Sequence, residues 1–417
     1  MEQKKVFETY ESEVRSYCRS FPSVFQKAKG SIITDVEGND YLDFFCGAGA
    51  VNYGHNNDYI KEKMISYLQN DGILHALDMM TDSKAEFLEF FEEQVLKPRG
   101  LDYKVMFVGP TGTNGVEAAL KLARKVKQRT SIWALMGCFH GMTLASLALT
   151  SDKDSRKGAG IPLEYVTHIP APYMFEQLDT ISYMETLLTD DHSGIEKPAA
   201  IIIETVQAEG GIHVFEKDYL QNLRRLCDRH DILLIVDDIQ VGCARTGTFF
   251  SFERADIIPD MVILSKSIGG AGLPFALTLF KPELDLWTPG EHNGTFRGNQ
   301  LAIVAAKAGL EYMLEHQIEA EVQRKSVIIE HYLTEHIPSD QASVRGIGMI
   351  WGIDVYHGEY SSAITKQCFE NGLIIERAGR DNSVVKLMPA LTISDQQLLD
   401  GLNIICNAVN SVLKQKI

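Results

Sequence analysis

Two residues of opposite charge stand where apolar runs end. In residues 232–238, ILLIVDD, acids follow five apolar residues directly, and in residues 261–267, MVILSKS, Lys266 follows another buried-looking run. Asp237 and Lys266 are 29 residues apart, about one β-crossover-β unit, so a fold can bring both side chains over one edge of the same sheet. A lone acid or lysine at a strand end often only caps the next element; the pair says more. Together they suit pyridoxal phosphate, which needs a lysine amine for its aldehyde and a carboxylate to keep its ring nitrogen protonated. Its phosphate needs a cradle. Residues 109–125, GPTGTNGVEAALKLARK, supply a Gly-Thr turn running into a helix, whose first amides and dipole favour a dianion. A flat ring also wants an aromatic face, and residues 138–143, CFHGMT, offer Phe139 and His140.

The elements that must position these groups follow from periodicity. Short apolar runs at 105–108, 131–136, 200–203, 232–236 and 261–264 alternate with amphipathic helical patterns such as 114–128 and 217–230. Continuous apolar strands separated by helices predict a mostly parallel sheet covered on both faces, with ligands beyond the carboxyl ends of its strands. After about 305 the pattern changes to a long helical stretch, short strands around 344–354 and 372–388, and a final helix near 394–415, which reads as a smaller α+β lobe.

Composition narrows the function classes. The chain of 417 residues carries 40 Lys and Arg against 56 Asp and Glu, a net charge of −16 that argues against nucleic acid and anionic membranes as partners. No apolar run is long enough for a membrane span, and the N-terminus places charges where a signal peptide would be apolar, so a cytoplasmic location is expected. Seven scattered cysteines without a C-x-x-C pair, and no H-E-x-x-H, predict neither a disulfide framework nor a metal site.

At this point a resemblance becomes visible. VDDIQVGCARTG (236–247), LSKSIGGAGLP around Lys266 and HNGTFRGNQ (292–300) resemble the signature of class III (ω-amino acid) aminotransferases. PTGTNGVEAALKLAR, FHGMT and ETVQAEGG (204–211) match in the same order, and the likeness covers essentially the whole chain. FETYESEVRSYCRSFPSVF, DGILHALDMMT (71–81) and PGEHNGTFRGNQLA are similar to the branch of that family that works on 2,4-diaminobutyrate and 2-oxoglutarate, known from ectoine and siderophore precursor supply.

The resemblance implies an α/β chain of PLP fold-type I, aspartate aminotransferase-like: a large domain with a mostly parallel mixed sheet, plus a smaller α+β domain. The implied division is 1–55 as an N-terminal segment joining the small domain, 56–305 as the large cofactor domain and 306–417 as the C-terminal small domain. Lys266 would bind the cofactor covalently and then move a proton, and Asp237 would pair with the ring nitrogen. Ile239 and Phe139 would cover the ring faces with His140 beside them, and Gln240 would bond the ring hydroxyl. Gly112 and Thr113 would hold the phosphate, helped by Thr295 from a neighbouring subunit, which implies a homodimer or higher homo-oligomer with sites at the interface. Glu209 and Lys386 would meet the substrate. The implied reaction moves the amine of L-glutamate onto L-aspartate 4-semialdehyde; the alternative is another ω-aminotransferase using ornithine, 4-aminobutyrate or another diamine. A regulatory protein of the same fold is a rival from another class, but the chain keeps its lysine and shows no DNA-binding segment.

Some positions depart from the broader family pattern. Met142 stands where relatives acting on ornithine or 4-aminobutyrate have a carboxylate-binding arginine, and Lys386 replaces a second arginine, a point charge instead of a bidentate fork. Ala208 and Ala244 replace usual glycines. Asp238 reads as a capping acid, Arg245 as a tie between loops and carbonyls, and Cys46 and Cys243 as small buried packing residues. Arg15 and Arg19, at i, i+4 on an expected helix, read as a solvated face ahead of a substrate role.

Overall fold

The computed structural model describes residues 2–414; Met1 and residues 415–417, including the expected end of the last helix at 415, lie outside them. Seven strands build the main sheet: β1 (Lys104–Phe107), β2 (Ile132–Leu135), β3 (Val166–Ile169), β4 (Ala200–Ile203), β5 (Leu233–Asp237), β6 (Met261–Leu264) and β7 (Leu277–Phe280). Their order is β1-β7-β6-β5-β4-β2-β3. β5 pairs in parallel with both β4 and β6, while β7 is antiparallel to β6 and β1.

The uninterrupted apolar runs are explained by burial on both faces. Ile201, Ile203, Leu234, Val236, Val262 and Leu264 enter one hydrophobic cluster; the alternate residues Ile202, Leu233, Ile235, Met261 and Ile263 enter another on the opposite face. Two strands are not among the apolar runs named from the sequence, although the second, LTLF, is fully buried. β3, VTHI, is an edge strand that is only half-buried, so its polar residues mask it. β7 returns antiparallel because its connector, 265–276, is glycine-rich and holds a single short turn, Lys266–Gly269, with no crossover helix.

The chain ends meet in space. Phe25–Lys29, Ile32–Asp35 and Asp40–Asp43 form an antiparallel meander, and Leu373–Ile374 adds to it parallel to Asp40–Asp43. A second four-stranded sheet runs Ser343–Ile347, Ile350–Asp354, Val384–Leu387, Glu376–Ala378, all antiparallel. The long helical stretch is two helices, Gln300–Glu315 and Ile318–His336, broken at Gln317 with φ +49°. The first of them runs through position 305/306. Among the described residues no helix is long and apolar enough to cross a membrane.

Arg15 and Arg19 do not share a helix. Ser12 accepts the Val14 amide through its hydroxyl and the Arg15 side chain through its carbonyl, a local turn that competes with helix and separates Glu2–Tyr10 from Tyr17–Ser20. Both arginines pair with Glu13 at the surface.

Candidate functional site

A cavity of about 160 Å³ lies beyond the carboxyl ends of β4, β5 and β6, lined among others by Gly112, Thr113, Phe139, His140, Asp237, Ile239, Gln240 and Lys266. Asp237 closes β5, and Lys266 follows β6 two residues on; the parallel register Asp237↔Ile263 brings the two strand ends side by side. The 29-residue spacing is thus one crossover between neighbouring strands. Lys266 adopts φ +54°, a conformation costly for a residue with a Cβ, as the chain turns sharply out of β6. Burial lowers its pKa below the ordinary lysine value, with Glu209 opposing and Lys386 assisting.

Asp237 is oriented from two sides. Its Oδ2 lies 2.7 Å from His140 Nδ1, and its Oδ1 accepts the Ile239 amide at 3.1 Å. Burial works against charge on His140, but Cys138 and Asp237 outweigh it and hold the imidazole above its ordinary pKa. Asp238 turns away from the cavity: its Oδ2 accepts the Ser251 amide, as a capping acid does.

At the other end stands the N-terminus of the helix Gly112–Lys127, opened by a capping box in which Thr111 and Asn114 bond each other's backbone. Gly112 and Thr113 occupy the first turn, where amides lack helical acceptors. A Cβ on Gly112 would lie 2.7 Å from Ile239 Cδ1, so a side chain here would push the Ile239 side chain aside. Thr113 Oγ1 lies 2.7 Å from Thr143 Oγ1 and 2.5 Å from Ser146 Oγ.

Glu209 lines the remaining side of the cavity, and behind it, outside the lining, stands an ionic cluster that includes Lys386. Lys386 Nζ lies 2.6 Å from Glu209 Oε1 and 2.7 Å from Glu376 Oε2, with its side chain almost fully buried. Lys386 is therefore already matched by two carboxylates, a setting the sequence reading of it as a substrate ligand did not contain. Burial alone would lower its pKa, but the two acids raise it above the ordinary lysine value. Glu209 is pushed up by burial and pulled below its ordinary value by Lys386 and Lys266. Gln240 Nε2 donates to Glu209 Oε1 and to the Ala48 carbonyl.

Two site residues had no role assigned from sequence. Glu204 lines the cavity and accepts the Phe139 and Ala208 amides; burial pushes its carboxyl up to about 7. The signal was present, since Glu204 follows the apolar run of β4 just as Asp237 ends that of β5. Glu376 follows the short run LII in the same way. Thr295, by contrast, sits on an exposed loop and does not line this cavity. Arg245 is fully buried and ties three segments together through the Met349 and Pro389 carbonyls and Asn52 Oδ1.

The residues present fit pyridoxal phosphate. His140 Nε2 and Gln240 Oε1 are buried polar atoms without a protein partner, which an occupant has to satisfy. The same cavity joins a lysine of lowered pKa, an oriented carboxylate, an aromatic side chain and an open helix N-terminus.

Comparison with known proteins agrees with this geometry. The family profile of aminotransferase class-III matches residues 15–409. A diaminobutyrate–2-oxoglutarate transaminase of Halalkalibacterium halodurans is 52% identical, covering 99% of this chain and 97% of its own. One from Streptomyces coelicolor is 52% identical over 97% of both chains. Among solved structures, an aminotransferase of Bacillus anthracis superposes with a TM-score of 0.89 over 98% of both chains at 24% identity. The ornithine aminotransferase of Toxoplasma gondii gives 0.87 at 23% identity over 99% of this chain and 95% of that one.

Proposed function

The chain belongs to the class III aminotransferases, and on that premise we propose that it carries the amino group of L-glutamate to L-aspartate 4-semialdehyde, giving L-2,4-diaminobutyrate and 2-oxoglutarate. The observation that carries this reading is identity at about half of all positions, over nearly the full length, to relatives named for that reaction. Lysine at 386 and methionine at 142 support it against enzymes that grip a carboxylate with arginines. The reaction is reversible and runs in two half-reactions, 2-oxoglutarate leaving before the semialdehyde takes up the amine.

When bound, pyridoxal phosphate supplies an aldehyde that carries the amino group and a ring that draws electron density from the carbon bearing it, Cα of glutamate or C4 of diaminobutyrate. Lys266 would hold the group and then, as a free amine, move a proton at that carbon; its lowered pKa keeps a neutral fraction available for that work. Asp237, steadied by His140, would pair with the ring nitrogen, and Gln240 would bond the ring hydroxyl. Ile239 and Phe139 would cover the ring faces. Gly112 and Thr113 would hold the phosphate, and Thr295 would reach the phosphate of a second subunit. Glu209 would contact substrate, with Lys386 buried behind it.

That role for Thr295 calls for a homodimer or a higher homo-oligomer. The exposed apolar side chains of Ile73, Met79 and Met80 adjoin the loop bearing Thr295, because the Gln300 amide bonds the Leu74 carbonyl and the His75 and Phe296 rings meet at 5.5 Å. We place the protein in the cytoplasm, in keeping with its seven unpaired cysteines.

The purified protein is expected to be yellow, and Lys266→Ala to lose both the visible absorbance and turnover. Normal turnover by that variant would contradict the mechanism. A donor–acceptor panel tests the substrate: good activity with ornithine and none with diaminobutyrate would replace this reading with another ω-aminotransferase.

A further inference from the structure

Behind Glu209, which lines the cavity, Lys386 is set between Glu209 and Glu376, two carboxylates against one ammonium. Glu209 belongs to the loop after the two-residue strand Val206–Gln207 and is held by Gln240 and by the Gly379 amide on its carbonyl. Glu376 is held differently, with burial and then Glu209 pushing its carboxyl above the ordinary value against the pull of Lys386. It is the cross-strand partner of Lys386 in the antiparallel pair Glu376–Ala378 with Val384–Leu387, so their side chains share one face of the sheet by register. A shift of the Glu209 loop can part Glu209 from Lys386; Glu376 stays opposite Lys386 for as long as the sheet exists. The acidic field reaches Tyr17, whose phenol is pushed up to about 12 by burial first and then by Glu376 and Glu209.

The substrates of the proposed reaction differ in charge. Glutamate and 2-oxoglutarate each bring two carboxylates, whereas diaminobutyrate brings one carboxylate and two ammonium groups. We propose that Glu376 is a specificity-determining positioning residue: by holding the Lys386 ammonium opposite itself whether or not Glu209 moves, it keeps the Glu209 end of the cavity in negative excess and favours the diamine over the dicarboxylates. This rests on the reading of the chain as a diaminobutyrate aminotransferase. It also gives Lys386 a different task from a free carboxylate anchor, since Glu376 lies opposite it by strand register.

The test is steady-state kinetics of the cofactor-loaded enzyme with each substrate. Glu376→Gln keeps the shape and removes the charge. It is expected to lower KM for glutamate and 2-oxoglutarate and raise KM for diaminobutyrate, moving the ratio of their kcat/KM values by about tenfold or more. Glu376→Asp, which keeps the charge, is expected to retain the wild-type ratio. A ratio within about twofold of wild type in Glu376→Gln, or KM values moving together for all substrates, overturns the proposal. Should that variant fold poorly, the double variant Glu376→Gln with Lys386→Met removes the pair together and restores one net negative charge from Glu209. The proposal expects a near-wild-type ratio there; collapse of kcat/KM for glutamate alone would make Lys386 the carboxylate anchor and overturn it. If the wild-type enzyme refuses diaminobutyrate, the functional reading fails, and the same comparison with the diamine it does accept tests Glu376 separately.

Discussion

Asp238 and Glu204 are two buried acids close to the site, and burial lifts each to about 7 from ordinary values of 3.8 and 4.5. Such a group holds its proton in the fold at a pH where the unfolded chain has lost it. The folded state therefore binds more protons between about pH 4 and 7, and stability falls as pH rises through that window. Asp238→Asn removes one of these groups while a side-chain oxygen can still accept the Ser251 amide. Relative to wild type, it is expected to gain about 2 kcal/mol of stability between about pH 5 and pH 8. Denaturant unfolding at both pH values measures this; parallel pH profiles would show that Asp238 does not titrate there. Lys266 teaches a related lesson. Its φ of +54° and its desolvated amine both cost stability, and both occur where the chemistry needs them.

At the scale of elements, the site depends on how closely three pieces approach. The turn after Lys266 rests on the helix Gln300–Glu315, and a Cβ on Gly270 would lie 2.1 Å from the Ala305 carbonyl oxygen in a residue already at φ +71°. Gly115 faces β6, but a Cβ there would meet a side-chain methyl, Ile263 Cγ2 at 2.6 Å, and sits in a helix that favours alanine. Gly270→Ala is therefore expected to cost more than about 2 kcal/mol and to impair activity by displacing Lys266, with Gly115→Ala the milder change. Melting temperatures of the two variants check the order. Ala244, by contrast, occupies φ +71° with a side chain. The family glycine would be more comfortable there, and Ala244→Gly is expected to raise the melting temperature slightly.

For the whole molecule, the acidic balance and the exposed apolar segment point in different directions. A charge of −16 keeps separate molecules apart, whereas Met80, 98% exposed, and Phe296, 66% exposed, adjoin the loop carrying Thr295. A subunit interface at this face, as proposed, would bury them. Light scattering is expected to give a multiple of the 46.6 kDa chain, and Met80→Asp with Phe296→Asp to shift it toward monomer with loss of activity. A wild-type monomer with full turnover would remove Thr295 from the site.

Much of the cofactor end was legible in the order of residues. Asp237, Lys266 and the Gly112–Thr113 turn announce themselves because local pattern controls them: apolar runs make buried strands, strand ends carry polar groups, and a Gly-Thr turn opens a helix. The strand–helix alternation gave away the sheet for the same reason. The ionic cluster was not legible. Glu209 comes from the loop after the short strand Val206–Gln207, and Glu376 and Lys386 from two strands of a separate sheet, and their partnership exists only where long-range packing puts Lys386 within 3 Å of each acid. Nor does the pattern reveal that Leu373–Ile374 pairs with Asp40–Asp43, more than three hundred residues earlier in the chain. Periodicity reports which face of an element is buried. Which elements then meet is settled by how those faces fit together, and that fit alone brings Glu209, Glu376 and Lys386 into one cluster.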